Sequence, residues 1–397
     1  SKLRIQVRDL DGQQEGLPLY FRLTELEAYA PTDFIDIGRV IYVQVSSSET
    51  CTPSGIAALH DNSDKTYAAE HAINGMYYDN LEHLGYAVPE SFGLKNFKNT
   101  ADIEINILRW WQHRIFRNSG VSADGTEIYL DTDWLTSLQS TAYSDRITWI
   151  ENAYEFIDQP GEWYLNRSES KLYYKPDGSM DGKSATLPVT EQLLVFEGTE
   201  NITFDGVKFE DTSWLTPNEI GYNDAQSGTY AQHNGVWGDV PGAIETHAAK
   251  NITITNSELR NLGIGGIRIG NGSSDCTITN SAIHDISSSG IFIGNNTGHN
   301  HGYCDPGTDV TGVVVRNNYI TRTGLDIFGS SAICALYTSD TVIDHNEVCY
   351  TTYTGISLGW GWDWKNAPCS GNNTVSNNYI HDTGKTIHDG GSFYSLG

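Results

Sequence analysis

The chain has 397 residues, with 24 Lys and Arg against 50 Asp and Glu and a formal net charge of −26; this excludes a nucleic-acid partner, since neutralising phosphates takes clustered basic side chains. Apolar residues make up 38%, and 22 Tyr, 10 Trp and 12 Phe supply large faces for burial, so general disorder is excluded too. No stretch approaches the ~18 consecutive apolar residues of a membrane span, and Ser1-Lys2-Leu3-Arg4-Ile5-Gln6 lacks the apolar run of a signal peptide, which reads as a chain already mature or missing its start.

Residues 1–95 read as partial β-sandwich segments. Leu19 to Tyr29 resembles the last strands of a discoidin-like, galactose-binding jelly roll, whereas Gly38 to Ser48 with Ala69 to Gly75 resembles its first strands and early turn. End before beginning is the wrong order for one domain and points to a piece of a longer protein. Residues 96–195 form a β-rich region packed on the coils that follow, with strands such as Ile103 to Ile107, Trp163 to Leu165 and Leu172 to Tyr174, and turns at Pro160-Gly161 and Asp177-Gly178.

From about residue 196 the chain repeats itself. Thr253-Ile254-Thr255-Asn256-Ser257-Glu258-Leu259 overlays on Thr277 to Ile283, Val315 to Ile320, Ile343 to Val348 and Val375 to Ile380, with a diverged copy at Thr203 to Phe209. A second strand follows each later copy, as in Gly266 to Gly270, Gly290 to Gly294 and Gly355 to Gly359. Successive equivalent residues Asn256, Asn280, Asn317, His345 and Asn377 are spaced unevenly, 280 − 256 = 24, then 37, 28 and 32. Short β-branched strands with variable loops cannot bury one face alone, so they stack into an all-β, right-handed parallel β-helix over 196–397. A column of Asn at one corner satisfies turn backbone groups.

Six cysteines without a CxxC pair point to disulfides, for example Cys334 with Cys349 on adjacent coils, and give no sign of a metal site or other cofactor. Asn-x-Ser/Thr sequons at Asn166, Asn201, Asn251, Asn271, Asn295 and Asn372 point to a secreted glycoprotein. No run repeats Asp at the spacing of a dedicated calcium site. The scarcity of Lys and Arg on the repeats speaks against a polysaccharide lyase, which needs a cation for its enolate.

Residues from about 100 to 397 resemble right-handed β-helix proteins of the glycoside hydrolase family 141 type. The resemblance rests on Trp149 to Leu165, on Gly355-Ile356-Ser357-Leu358-Gly359-Trp360-Gly361-Trp362, and on Asn378-Tyr379-Ile380-His381-Asp382 leading to Asp389-Gly390-Gly391. It implies a carbohydrate-active protein of a group associated with xylan or fucose-containing glycans. The coils such enzymes carry after the Asp-Gly-Gly segment are absent, again as expected of a partial chain.

The residues themselves point the same way. Trp360, Trp362 and Trp364 alternate with Gly361 and Asp363 just after a strand, where a loop has little apolar surface to cover three indoles; an exposed ring offers a flat face to a pyranose. Asp389, beside two glycines that permit close approach, is the leading catalytic carboxylate. Glycosidic cleavage commonly uses two carboxylates about 5–5.5 Å apart for retention and roughly 6.5–9.5 Å for inversion, and Asp363, one coil away, is the partner expected here. Glu245, set among apolar neighbours in a second-strand repeat, is a third catalytic candidate, and Asp326 and His388 are candidate substrate contacts. His247 and His345 read as ladder or turn residues. The second reading, from a different class, is a non-catalytic adhesive glycoprotein, in which a stiff β-helix joins other copies or subunits in an extracellular assembly.

Overall fold

The computed structural model describes residues 76–80, 83–130, 147–231, 237–294, 309–359 and 370–395. The discoidin-like segments before residue 76 lie outside the described residues. From Leu194 the chain winds through three parallel sheets. The first holds Glu200–Asp205, Lys250–Thr255, Thr277–Thr279, Val314–Arg316, Val342–Asp344 and Thr374–Ser376. The second holds Lys208–Thr212, Glu258–Leu262, Ala282–Ile286, Tyr319–Thr323, Glu347–Cys349 and Tyr379–His381. The third holds Leu194–Glu197, Gly242–His247, Gly265–Gly270, Ile291–Ile293, Ile333–Ala335, Ile356–Leu358 and Phe393–Ser395.

Each coil thus has three strands, where the repeat alone reads as two. The reason is local: the residue in the middle of each repeat turns left-handed and splits one apparent strand between two sheets. φ is 50° at Asn256, 54° at Asn280, 55° at Asn317, 54° at His345 and 53° at Asn377. Asn accepts this conformation because its short amide bonds locally and relieves the Cβ penalty.

Two columns run side by side at this corner. The outer one is solvent-facing, with Asn256 Nδ2 donating to Asp205 Oδ1 (2.7 Å) and Asn317 Nδ2 to Asn280 Oδ1 (2.8 Å). The inner one is mostly buried. The backbone N–H of Ser257 donates to Ser281 Oγ (3.1 Å), that of Ser281 to Asn318 Oδ1 (3.0 Å), that of Asn318 to Asn346 Oδ1 (3.0 Å) and that of Asn346 to Asn378 Oδ1 (2.9 Å). In return Asn318, Asn346 and Asn378 donate through Nδ2 to the carbonyls of Ile278, Val315 and Ile343 on the preceding coil. Corner amides are thereby satisfied without water, as a buried backbone requires.

The same corner chemistry accounts for most of the sequons. Asn201, Asn251, Asn271 and Asn372 all have positive φ, a conformation that Asn tolerates, so the corner by itself places an Asn at these positions. Asn251 spends its amide on Asn201 (2.8 Å). Asn166 is buried, with Oδ1 accepting from the Glu169 N–H (3.0 Å). Asn295 lies outside the described residues.

Inside the coils, Ile254, Ile278, Val315 and Ile343 of the first sheet meet Leu259, Ile283, Ile320 and Val348 of the second and Ile267, Ile291, Ile333 and Ile356 of the third in one apolar core. Full burial of each such side chain contributes about 1.5–3 kcal/mol. The expected Cys334–Cys349 disulfide is not formed. Cys334 sits in the third sheet between Phe292 and Ser357, and Cys349 in the second between Thr321 and His381; both are free and buried, as is Cys276. Residues fifteen apart in sequence fall on different sheets, so the bridge has no adjacent partner to close on. Cys51, Cys304 and Cys369 lie outside the described residues.

Glycine is obligatory at one third-sheet corner. Gly294 has φ 93°, and a Cβ there would overlap the carbonyl oxygen of Leu336 on the next coil. Gly294→Ala is expected to cost about 2–3 kcal/mol, read as a lower urea midpoint; an unchanged midpoint would show that the coils yield at this corner.

A further, antiparallel sheet of nine strands precedes and interrupts the coils. Its main path runs Met76–Asn80, His83–Ala87, Glu127–Leu130, Gln112–Val121, Tyr222–Gln226, Thr229–Ala231 and Trp237–Asp239; Glu104–Arg109 pairs with Gln112–Val121 and with Trp149–Glu151. Its last three strands come from an insertion between Lys208–Thr212 and Gly242–His247, so the sheet is tied into the solenoid by the chain itself. Ile103, Ile105, Phe116, Ile128 and Ile150 pack its own core. Among the described residues no helix is long and apolar enough to cross a membrane.

Candidate functional site

The two sheet systems meet on an aromatic seam. His113 stacks on Phe328 (centroids 4.5 Å apart, 12° between planes) and lies 5.5 Å from Trp149. His113 Nε2 donates to Asn106 Oδ1 (2.9 Å), leaving Nδ1 to accept from the Phe328 N–H (3.4 Å), so the ring is held as the neutral Nε2–H tautomer. Trp149, Phe328, Tyr353 and Ile387 form one buried cluster with Trp111 against it. Trp111 Nε1 donates to the carbonyl of Ala225 (2.9 Å). Beneath this seam lies Asp224, 2% exposed. Its Oδ2 accepts from the His113 backbone N–H (3.0 Å) and its Oδ1 from Tyr222 Oη (3.4 Å). Burial outweighs these bonds and the nearby Arg114 charge, and pushes the carboxyl up to about 8.

Asp389 sits at the edge of the seam. Tyr353 Oη donates to its carbonyl oxygen (2.8 Å) and accepts from Gln226 Nε2 (3.0 Å), so the turn before Phe393–Ser395 is fastened to the inserted strand Tyr222–Gln226. Gly390 is needed there, since a Cβ would stand 2.6 Å from both Thr354 Oγ1 and Tyr353 Cε2. The Asp389 side chain itself is exposed. His388 is exposed beside it, its Nδ1–H donating to the Gly384 carbonyl (3.0 Å).

Trp360, Trp362, Asp363 and Trp364 lie outside the described residues, and with them the separation of Asp363 from Asp389. The topology still sets a condition. The loop carrying Asp363 leaves the C-terminal end of Ile356–Leu358, whereas Asp389 precedes the parallel neighbour Phe393–Ser395, in register Ser357↔Tyr394. Gly359, the last described residue before that loop, and Asp389 therefore lie toward opposite ends of the third sheet, about 10 Å of strand apart.

Glu245 stands elsewhere on that sheet's outer face. Because Ile267 and Ile269 enter the core, alternation turns Arg268 outward, together with its register partners Glu245, Phe292, Cys334, Ser357 and Tyr394. Arg268 Nη1 donates to Glu245 Oε1 (2.6 Å) and Nη2 to Asp239 Oδ2 (2.8 Å). Glu245 Oε2 also accepts from Gln192 Nε2 (2.8 Å) and from the Gly242 N–H (3.2 Å), and His247 Nε2 is 3.2 Å from Oε1. Inserted strand Trp237–Asp239 is thus clamped over the first coils, and Glu245 is 5% exposed. Further along, burial pushes the Cys334 thiol well above its ordinary range, which suits an inert packing group. At Tyr394 the row becomes half-exposed, next to Asp389. Asp326 is half-buried and accepts a hydrogen bond from Ser287 Oγ on the preceding coil.

Of the expected site residues, Asp389 and His388 come together, while Glu245 and Asp326 each face other partners. Asp224, Gln226 and Tyr353 were not anticipated. The available sequence signal was the long aperiodic stretch between two coil strands, with its Ser227-Gly228 turn.

The family described as "Right handed beta helix region" matches residues 242–396. The chain is a right-handed parallel β-helix. No curated protein matches it. A solved structure titled "Glycoside hydrolase" is 24% identical, superposes with a TM-score of 0.71, and covers 82% of this chain and 62% of its own length, so the present chain spans less than two thirds of that protein. A complex of XylC with xylose is 12% identical, covering 77% of this chain and 50% of that one, with a TM-score of 0.37.

Proposed function

We propose that this chain is a secreted glycoside hydrolase acting on a cell-wall polysaccharide, with Asp389 as a catalytic carboxylate. The observation that carries the reading is the exposed Asp389 carboxylate on a turn fixed by Tyr353, Gln226 and Gly390; a reacting group must be both reachable and held in place. The fold it shares with a protein titled a glycoside hydrolase supports it. Glycan binding is assigned to Trp360, Trp362 and Trp364, with His388 beside the reacting bond. Asp363 serves as second carboxylate. Glu245 has its oxygens engaged by Arg268, Gln192 and Gly242, which leaves the leading role with Asp389.

The test is reducing-sugar release from a panel of xylans, pectins and fucose-containing glycans. The unmodified protein is expected to release sugar and Asp389→Asn to lose at least about 100-fold of the rate, with its far-UV circular dichroism unchanged. No release from any substrate by the unmodified protein would sink the hydrolase and leave a glycan-binding scaffold, the reading that the stiff, self-satisfied coils fit.

A further inference from the structure

The outer face of the second sheet, remote in topology from Asp389, brings three different metal-ligating groups together. Glu347 and Cys349 stand two residues apart on one strand, with Val348 between them in the core, so both side chains turn outward. His381 is the direct register partner of Cys349 on the next strand. The donor atoms of Glu347, Cys349 and His381 all lie within 4.8 Å of one another. Two ligands at i and i+2 and a third across the ladder present three donors to one point above the pleat.

We propose that these three residues bind a divalent transition-metal ion of the zinc class. The donor set decides the class: thiolate sulfur and imidazole nitrogen suit zinc and its borderline neighbours, whereas calcium and magnesium require oxygen throughout. The surroundings match the demand for an oriented imidazole. His381 Nδ1–H donates to Asp382 Oδ2 (2.9 Å) and Nε2 points at Glu347 Oε1 (3.4 Å), so a metal ion that displaces the Nε2 proton meets an imidazole already oriented toward the carboxylate. Its ring stacks on Tyr379 (centroids 4.3 Å) and meets Tyr350 edge-on (6.2 Å). Lys385 Nζ holds the other Asp382 oxygen (2.6 Å). A carboxylate that fixes the tautomer of a ligating histidine is the usual outer partner of a metal site. The Cys349 sulfur lies 3.4 Å from Thr321 Oγ1 and 3.9 Å from Tyr319 Oη, and the latter hydroxyl or a water completes a four-coordinate shell. A sequence scan for metal sites misses this one because Cys349 and His381 are far apart in the chain and neither sits in a paired motif.

The reduced, chelator-treated full chain is titrated with Zn²⁺ and, for its spectrum, with Co²⁺. We expect one equivalent bound at this site with a near-ultraviolet thiolate-to-cobalt charge-transfer band. Cys349→Ser should abolish the band, and Glu347→Gln, an exposed and fold-neutral change, should keep it while weakening affinity at least about 10-fold. Asp382→Asn should weaken affinity about 10–100-fold, again with the band retained. Stoichiometry and band unchanged in Cys349→Ser, with circular dichroism native, would place the metal on another cysteine and overturn the proposal. So would the absence of any bound equivalent in the unmodified chain.

Discussion

Arg268→Met is expected to lose about 3–5 kcal/mol of stability at pH 7, the cost of leaving buried charge without its counter-ion. The guanidinium lies between Asp239 and Glu245, at 2.8 and 2.6 Å, and each of the three side chains is about a tenth exposed or less. Its charge is favoured further by these two carboxylates, which outweigh the burial that opposes it. The methionine fills the volume but leaves two buried carboxylates on facing strands. Urea unfolding followed by circular dichroism gives the loss directly. Adding Glu245→Gln should recover part of it, since the amide still accepts from the Gly242 N–H and no longer carries charge. A loss under about 1 kcal/mol would mean that the inserted strand Trp237–Asp239 is held by backbone pairing alone.

The second large effect depends on pH. Asp224 is neutral in the folded protein up to about pH 8 and ionises near its ordinary value of 3.8 once unfolded. The folded state therefore holds the extra proton between about pH 4 and 8. The favourable contribution is complete below pH 4 and is lost as pH rises through about 8, a cost of about 4 kcal/mol at pH 7. Asp224→Asn keeps an acceptor for the His113 N–H and never ionises. It should match the parent protein near pH 4 and exceed it by several kcal/mol at pH 8. Stability curves for the two proteins that run parallel from pH 4 to 8.5 would contradict this assignment. Comparing the pair also cancels the repulsion that a net charge of −26 adds as pH rises.

Much of the solenoid was legible because its rules are local. A left-handed corner residue, usually Asn, with Ile or Val two residues before it and Leu, Ile or Val three after recurs along the coils, and Gly precedes most third strands, so Asn256, Asn280 and Asn317 could be aligned by eye. The same local rule misled once: it hid the break that puts Thr253 and Leu259 on different sheets. What could not be read was the seam. Trp111 meets Ala225 across 114 residues and His113 meets Phe328 across 215, through an insertion without period. Glu245 was noticed as a carboxylate among apolar residues, but Arg268 and Asp239, which settle its surroundings, carry no spacing signal. Asp389 was singled out through its two glycines, and of these Gly390 stands close to the Tyr353 ring.

The inner corner column has a consequence for how such a chain can change over time. Asn318 and Asn346 each reach the coil before them, accepting one N–H and returning an amide proton to one carbonyl, and each donates through its backbone N–H and Nδ2 to the Asn of the coil after. An internal coil can therefore be duplicated or excised whole, and the flanking clasps will close on the new neighbour as they did on the old. A point change within a rung is the costlier accident, because it opens the joint on both sides at once. Growth by copying complete turns, with loops free to drift in length, is the history this joint permits, and the uneven 24-, 37-, 28- and 32-residue spacings are the trace it would leave.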